Sequence, residues 1–137
     1  MHLENKIERI KRDILGKRYS LSIGFVEEKI SRKLNKTYRK KDRPTNVLSF
    51  ALHKDGGDLV LCKKVISREA KILNKKVGDW MIFLVIHGLL HLKGMTHGSI
   101  MEESEDKYGK KYIRGYRRGL QDDTSRSGRV SKRRKKS

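Results

Sequence analysis

The chain has 137 residues, with 35 Lys and Arg against 16 Asp and Glu, a formal charge of +19, and a single cysteine. This length suits one domain with a substantial core, and the charge points to polyanionic partners, nucleic acid first and an anionic membrane surface second. A disulfide-stapled scaffold is excluded because Cys62 has no partner within the chain, and no run approaches the roughly 18 apolar residues of a membrane span. The start, His2-Leu-Glu-Asn-Lys, lacks the apolar core of a secretory signal. A reducing, cytoplasmic setting is therefore expected, with no membrane partner.

Leu3, Ile7, Ile10 and Ile14 recur at three- and four-residue intervals among charges, which predicts an amphipathic helix ending at Gly16. Tyr19 to Phe25 alternates and predicts a half-buried strand. Ile30, Leu34 and Tyr38 mark a second helix from about Glu27 to Tyr38, which the loop Lys40-Lys-Asp-Arg-Pro44 ends. Val47 to Leu52 predicts a strand, Asp55-Gly-Gly57 a turn, and Asp58 to Cys62 the next strand. Ser67 to Asn74 predicts a short helix, Asp79 to Leu92 a buried one, and Met101 to about Gly115 a last amphipathic helix. Strands and helices do not alternate regularly. The fold class is thus α+β, a single compact domain with a small mixed β-sheet packed with about five helices.

Charge is concentrated at the C-terminal end, where residues 114–137 hold ten basic and two acidic side chains. Within Arg126-Ser-Gly-Arg-Val-Ser-Lys-Arg-Arg-Lys-Lys-Ser137, Val130 is the one sizeable apolar residue, too little to offset the entropy of ordering. A domain of residues 1–119 is expected, followed by a flexible basic tail of residues 120–137 that attaches to phosphates.

The most informative stretch is His87-Gly-Leu-Leu-His91-Leu-Lys-Gly94-Met-Thr-His97. Four-residue spacing sets His87 and His91 one turn apart on one helix face. Gly94 ends the helix, so the chain can turn back and bring His97 to the same point. Three converging imidazoles make a metal site with a free coordination position, the pattern of catalytic zinc. In the metallopeptidase motif His-Glu-x-x-His the Glu is the general base. Gly88 holds that position here, which disfavours a peptidase.

These residues resemble the signature of the YbeY endoribonucleases. Two further blocks agree: Leu34-Asn-Lys-Thr-Tyr-Arg39-Lys-Lys-Asp42-Arg-Pro-Thr45-Asn46-Val-Leu-Ser49-Phe50, and Gly57-Asp58-Leu-Val. The resemblance runs from about Ile30 to Asp106. It implies a zinc-dependent endoribonuclease that prefers single strands and acts in ribosomal RNA maturation and ribosome quality control. Its partners would be single-stranded or ribosomal RNA and the ribosome or small-subunit precursors.

The resemblance also implies one zinc ion per chain on His87, His91 and His97, with catalytic roles for Arg39 and His87. Arg39 would offer a planar, permanently charged fork to phosphate oxygens. Tyr38 by stacking, Lys40, Lys41 and Arg43 by charge, and Asn46 by hydrogen bonding are the expected RNA contacts. No general base stands out. Asp58 reads as a turn residue, Glu102, Glu103 and Glu105 as acids complementing a helix dipole, and Trp80 as core.

Three departures accompany the resemblance. Thr96 stands where the family usually has Asp before the third histidine, which predicts metal affinity lowered by about 10–100-fold if that Asp orients a ligand. Ala51 replaces a proline, and the strand that often precedes the first helix is missing. A non-catalytic, zinc-stabilised RNA-binding ribosome-assembly factor is the alternative function.

Overall fold

The computed structural model describes residues 2–118. The tail expected at residues 120–137 lies outside the described residues.

Helix α1 (Leu3–Leu15) buries Ile7, Ile10 and Ile14 and stops where Gly16 turns to φ 95°. Lys11 is also buried, its ammonium donating to the carbonyls of Lys17 and Tyr19 and pairing with Glu8 at 3.2 Å. Strand β1 (Ser20–Phe25) leads to α2 (Glu28–Arg39), which ends with Lys40 in the left-handed region. The loop of residues 41–46 is tied to α2 by buried side chains. Ser31 Oγ donates to the Thr45 carbonyl at 2.7 Å and accepts the Thr45 N–H, and Asn35 Nδ2 donates to the Arg43 carbonyl at 2.8 Å.

Strands β2 (Val47–His53) and β3 (Gly56–Leu61) form an antiparallel hairpin, and β1 pairs parallel to β3, giving a mixed sheet in the order β1-β3-β2. The expected Gly-Gly turn is therefore tighter than its sequence suggests, with Gly56 and Gly57 inside the strand. Gly57 must be glycine, because a Cβ would come within 2.6 Å of Tyr19 Oη and 2.7 Å of the Phe50 carbonyl oxygen.

Helix α3 (Lys63–Ile72) begins directly after β3, four residues before the expected Ser67. Val65 and Ile66, which the expected elements leave between strand and helix, are buried in its first turn. Helix α4 (Val77–Leu92) follows and then α5 (Ser99–Tyr112). Five helices and three strands match the expected class.

Helix α4 is the centre of the domain. It contacts α1, α3, α5, β2 and β3, and its Val85, Ile86, Leu89 and Leu90 are fully buried beside Leu59 and Leu61 of the central strand. Close approach to the sheet requires Gly88. A Cβ there would overlap Leu59 Cδ1 and lie 3.0 Å from Ser49 Oγ, which itself donates to the Gly88 carbonyl at 3.0 Å. No helix among the described residues is long and apolar enough to cross a membrane.

Candidate metal centre

Among the residues of α4, only the stripe that includes His87 and His91 interrupts an otherwise buried run. After α4 the chain turns at Gly94, with φ 106°, and His97 comes back to face the other two. The ring centroids lie 4.5 Å apart for His87–His91, 5.4 Å for His87–His97 and 4.9 Å for His91–His97. One ring nitrogen of each falls within 4.8 Å of the others, and the three could hold a metal ion.

The ring orientations follow from what holds the other nitrogens. His87 Nδ1 donates to the Glu105 carboxylate at 2.6 Å, and His91 Nδ1 donates to the Met95 carbonyl at 3.0 Å. Carbonyl and carboxylate oxygens only accept, so both protons belong on Nδ1 and both Nε2 atoms carry lone pairs. Those two lone-pair nitrogens sit 3.1 Å apart. Two acceptors held at that distance repel unless a cation lies between them, and a tetrahedral zinc with ligands at about 2.0–2.1 Å would set them at ~3.3 Å. The donor set fits a divalent metal, with each clamped imidazole presenting its Nε2.

Electrostatics agree with a neutral imidazole at His91. Burial, reinforced by the facing His87 ring, holds the His91 imidazole below the usual histidine range; His97 and Arg39 add smaller repulsions, while the Met95 carbonyl works the other way. Glu105 is 5% exposed. Burial pushes its carboxyl up, but hydrogen bonds from His87 and Arg118 outweigh this and leave it below the usual carboxylate range. Arg118 bonds Glu105 Oε1 and Asp106 Oδ1, each at 3.0 Å, and so steadies the carboxylate from behind.

Glu105 is thus not the dipole-complementing acid expected from its place in α5. With Met101, Tyr108 and Tyr112 it lies on the inward stripe of that helix, and an acid at three- and four-residue spacing from apolar neighbours is the signal that could have found it. The Met95 carbonyl leaves no trace in side-chain chemistry. Thr96 is exposed and makes no side-chain hydrogen bond among the described residues, so the clamping of His87 and His91 does not depend on it.

Arg39 closes α2 and lines an open groove of about 720 Å³ with Tyr38, Ser49, Phe50 and Asp58. Tyr38 is 62% exposed and packs edge-on against Phe50 at 5.0 Å. Ser49 joins this groove to α4 through its bond to the Gly88 carbonyl, one residue from His87. Lys40, Lys41 and Arg43 are exposed on the loop beyond Arg39. Asn46 is turned elsewhere: its Nδ2 donates to Glu69 at 2.9 Å, beside the Trp80 indole, which donates to the same oxygen at 3.0 Å. His53 is an exposed turn residue whose Nδ1 accepts the Asp55 N–H, as expected of a histidine outside the cluster. Asp58 lies in β3 opposite Phe50, within the expected strand, and lines the groove rather than only shaping the turn before it.

Comparison with known proteins agrees with this arrangement. The family model described as Endoribonuclease YbeY matches residues 2–113. A protein named Endoribonuclease YbeY from Colwellia psychrerythraea is 45% identical over 94 residues, covering 64% of this chain and 61% of that protein. One of the same name from Alteromonas mediterranea is 44% identical over 92 residues, covering 62% and 58%. The chain thus spans less than two thirds of the length of these relatives. A solution structure of a Thermotoga maritima protein superposes with a TM-score of 0.60 at 30% identity, covering 80% of this chain and 78% of the other. With the histidine cluster, the groove and a match over nearly all described residues in accord, the chain belongs to the YbeY endoribonuclease family.

Proposed function

We propose that the protein is a zinc-dependent endoribonuclease that cleaves single-stranded RNA, acts in the cytoplasm on ribosomal RNA during maturation and quality control, and engages the ribosome or small-subunit precursors. The observation that carries this reading is the pair of clamped imidazoles, His87 and His91, whose lone pairs converge with His97 near a groove lined by Arg39 and Tyr38.

One zinc ion per chain would be held by His87, His91 and His97 and, when bound, supplies Lewis acidity at the phosphodiester. Glu105 keeps His87 in the ligating tautomer. Arg39 binds the phosphate from the groove, its forked guanidinium matching two oxygens and stabilising the charge that grows as phosphorus is attacked. Tyr38 gives a base a face to stack on, and Lys40, Lys41 and Arg43 draw in the neighbouring phosphates. Asn46, engaged by Glu69, contributes to RNA only through the loop it anchors. Residues 120–137 add further phosphate attachment, so truncation after Gly119 is expected to weaken RNA binding without unfolding the domain.

The test is cleavage of single-stranded RNA by the purified chain with and without a chelator, alongside His91→Ala. Chelator-sensitive cleavage lost in His91→Ala supports the proposal. Binding that weakens steeply with salt, without turnover, would favour the assembly-factor reading instead.

A further inference from the structure

The half-buried stripe of α4 does not end at the histidines. Trp80, Phe83, His87 and His91 follow one another at spacings of three, four and four residues, and all four are half-buried while the residues between Phe83 and His91 other than His87 are buried. The indole at the far end of this stripe packs against the core, as its sequence context suggested, but stays half-buried. Trp80 stacks on Phe83 at 5.3 Å and 7°, and Phe83 stacks on Tyr116 at 6.2 Å and 16°. The three rings line a cavity of about 330 Å³.

Its rim carries Lys75, Lys76, Arg114 and Arg117, with Asp79 the one acid among the described lining residues. None of the four cations makes an ion pair among the described residues. The fold therefore sets three aromatic rings, stacked one on the next, at an open cavity and surrounds them with an excess of positive charge, four cations to one acid among the described lining residues. Cations alone would suit any polyanion, and aromatic rings alone any apolar group. Their combination suits a ligand with a flat ring and a phosphate on the same unit.

We propose that this cavity is a second RNA subsite, which takes one nucleotide of a single strand with its base against the Trp80–Phe83–Tyr116 platform and its phosphate among Lys75, Lys76, Arg114 and Arg117. The choice of RNA as ligand rests on the endoribonuclease reading. Seven residues of helix separate Trp80 from His87, about 10 Å along the axis. A strand anchored in the cavity therefore passes within a few nucleotides of the metal centre. The subsite acts on RNA affinity and on the length of RNA preferred, not on the chemical step.

Trp80 is the chain's one tryptophan, so its emission reports on this cavity alone. The full chain is titrated with a 2′-O-methyl oligoadenylate of about twelve nucleotides, within the range of single-strand binding footprints. Saturable quenching is expected in step with binding measured by anisotropy. The surface double variant Lys76→Glu/Arg117→Glu is expected to bind about tenfold more weakly and to lose about two from the slope of log affinity against log salt. Heparin, charged but without bases, is expected to bind without quenching. Binding with unchanged emission, wild-type affinity in the double variant, or equal quenching by heparin would each overturn the subsite. Quenching that persists when the zinc-loaded protein fails to cleave unmodified RNA would instead sink the nuclease reading and leave the subsite standing.

Discussion

Glu105→Gln isolates the contribution of charge behind the metal centre, because glutamine keeps the shape and an acceptor oxygen for His87 Nδ1. A hydrogen bond to a charged group is worth about 1.5–3 kcal/mol against about 0.5–1.5 for a neutral one, a loss of about 1–1.5 kcal/mol. At 1.36 kcal/mol per decade that is a zinc affinity lowered by roughly 5–15-fold. Glu105→Ala also frees the ring to rotate and should approach the roughly 100-fold end of the range for lost ligand-orienting partners. The carboxyl is held below its ordinary value of 4.5, so its contribution is fully present at pH 7 and fades only as pH falls through that lowered value. Competition against a chromophoric chelator at pH 7 measures the affinities, and circular dichroism checks the fold of each variant. If both variants bind zinc within about twofold of wild type while His91→Ala loses it, the clamp reasoning is wrong, since losing the carboxylate that orients His87 is expected to cost at least about tenfold in the alanine variant.

Arg39→Ala should cut turnover on RNA more than it weakens RNA binding, since a phosphate fork acts on charge that develops during reaction; equal kcat in the variant would remove Arg39 from that role. Gly88→Ala gains about 1 kcal/mol of helix propensity but overpacks against Leu59, which is fully buried, at a cost of about 1–3 kcal/mol, so a lower Tm is expected. A raised Tm would mean that α4 can ride further from the sheet. Asp13 accepts bonds from Lys111 and from Tyr112 Oη, linking α1 to α5, and these hold its carboxyl below the ordinary 3.8. The stabilisation is therefore present above about pH 4 and lost as pH falls through the lowered value. Asp13→Asn should lower Tm at pH 7 and matter less and less as pH falls through the lowered value, and a pH-independent difference would count against the ion pair.

How much of this was legible in the sequence depended on whether a signal was local. Ile7, Ile10 and Ile14 repeat within one helix, and His87, His91 and His97 fall within eleven residues around the turn at Gly94, so periodicity and a helix stop suffice to find them. Gly56 and Gly57 misled because a glycine pair reads as a turn, whereas Gly57 is needed in the strand to let Tyr19 and Phe50 pass. The start of α3 is not marked locally, since no side chain caps it and two lysines precede the buried Val65 and Ile66 of its first turn. Glu105 lies eighteen residues from His87, and only the packing of α5 on α4 joins them.

The packing of α4 explains why the site tolerates glycine at 88 and requires an acid from elsewhere. The flank of the helix beside the imidazoles meets β2 and β3 so closely that Gly88 has no space for a side chain, so the helix itself cannot supply a carboxylate at that position. The carboxylate instead comes from α5, where it reaches Nδ1 of His87 on the side away from His91. An acid so placed stabilises the ligating tautomer but faces away from the converging Nε2 atoms. It is therefore placed to orient His87 rather than to act as a base there. Under the proposed endoribonuclease function the phosphate is left to Arg39, the one cation among the groove's described lining residues and near enough to the cluster to bear on the His91 imidazole.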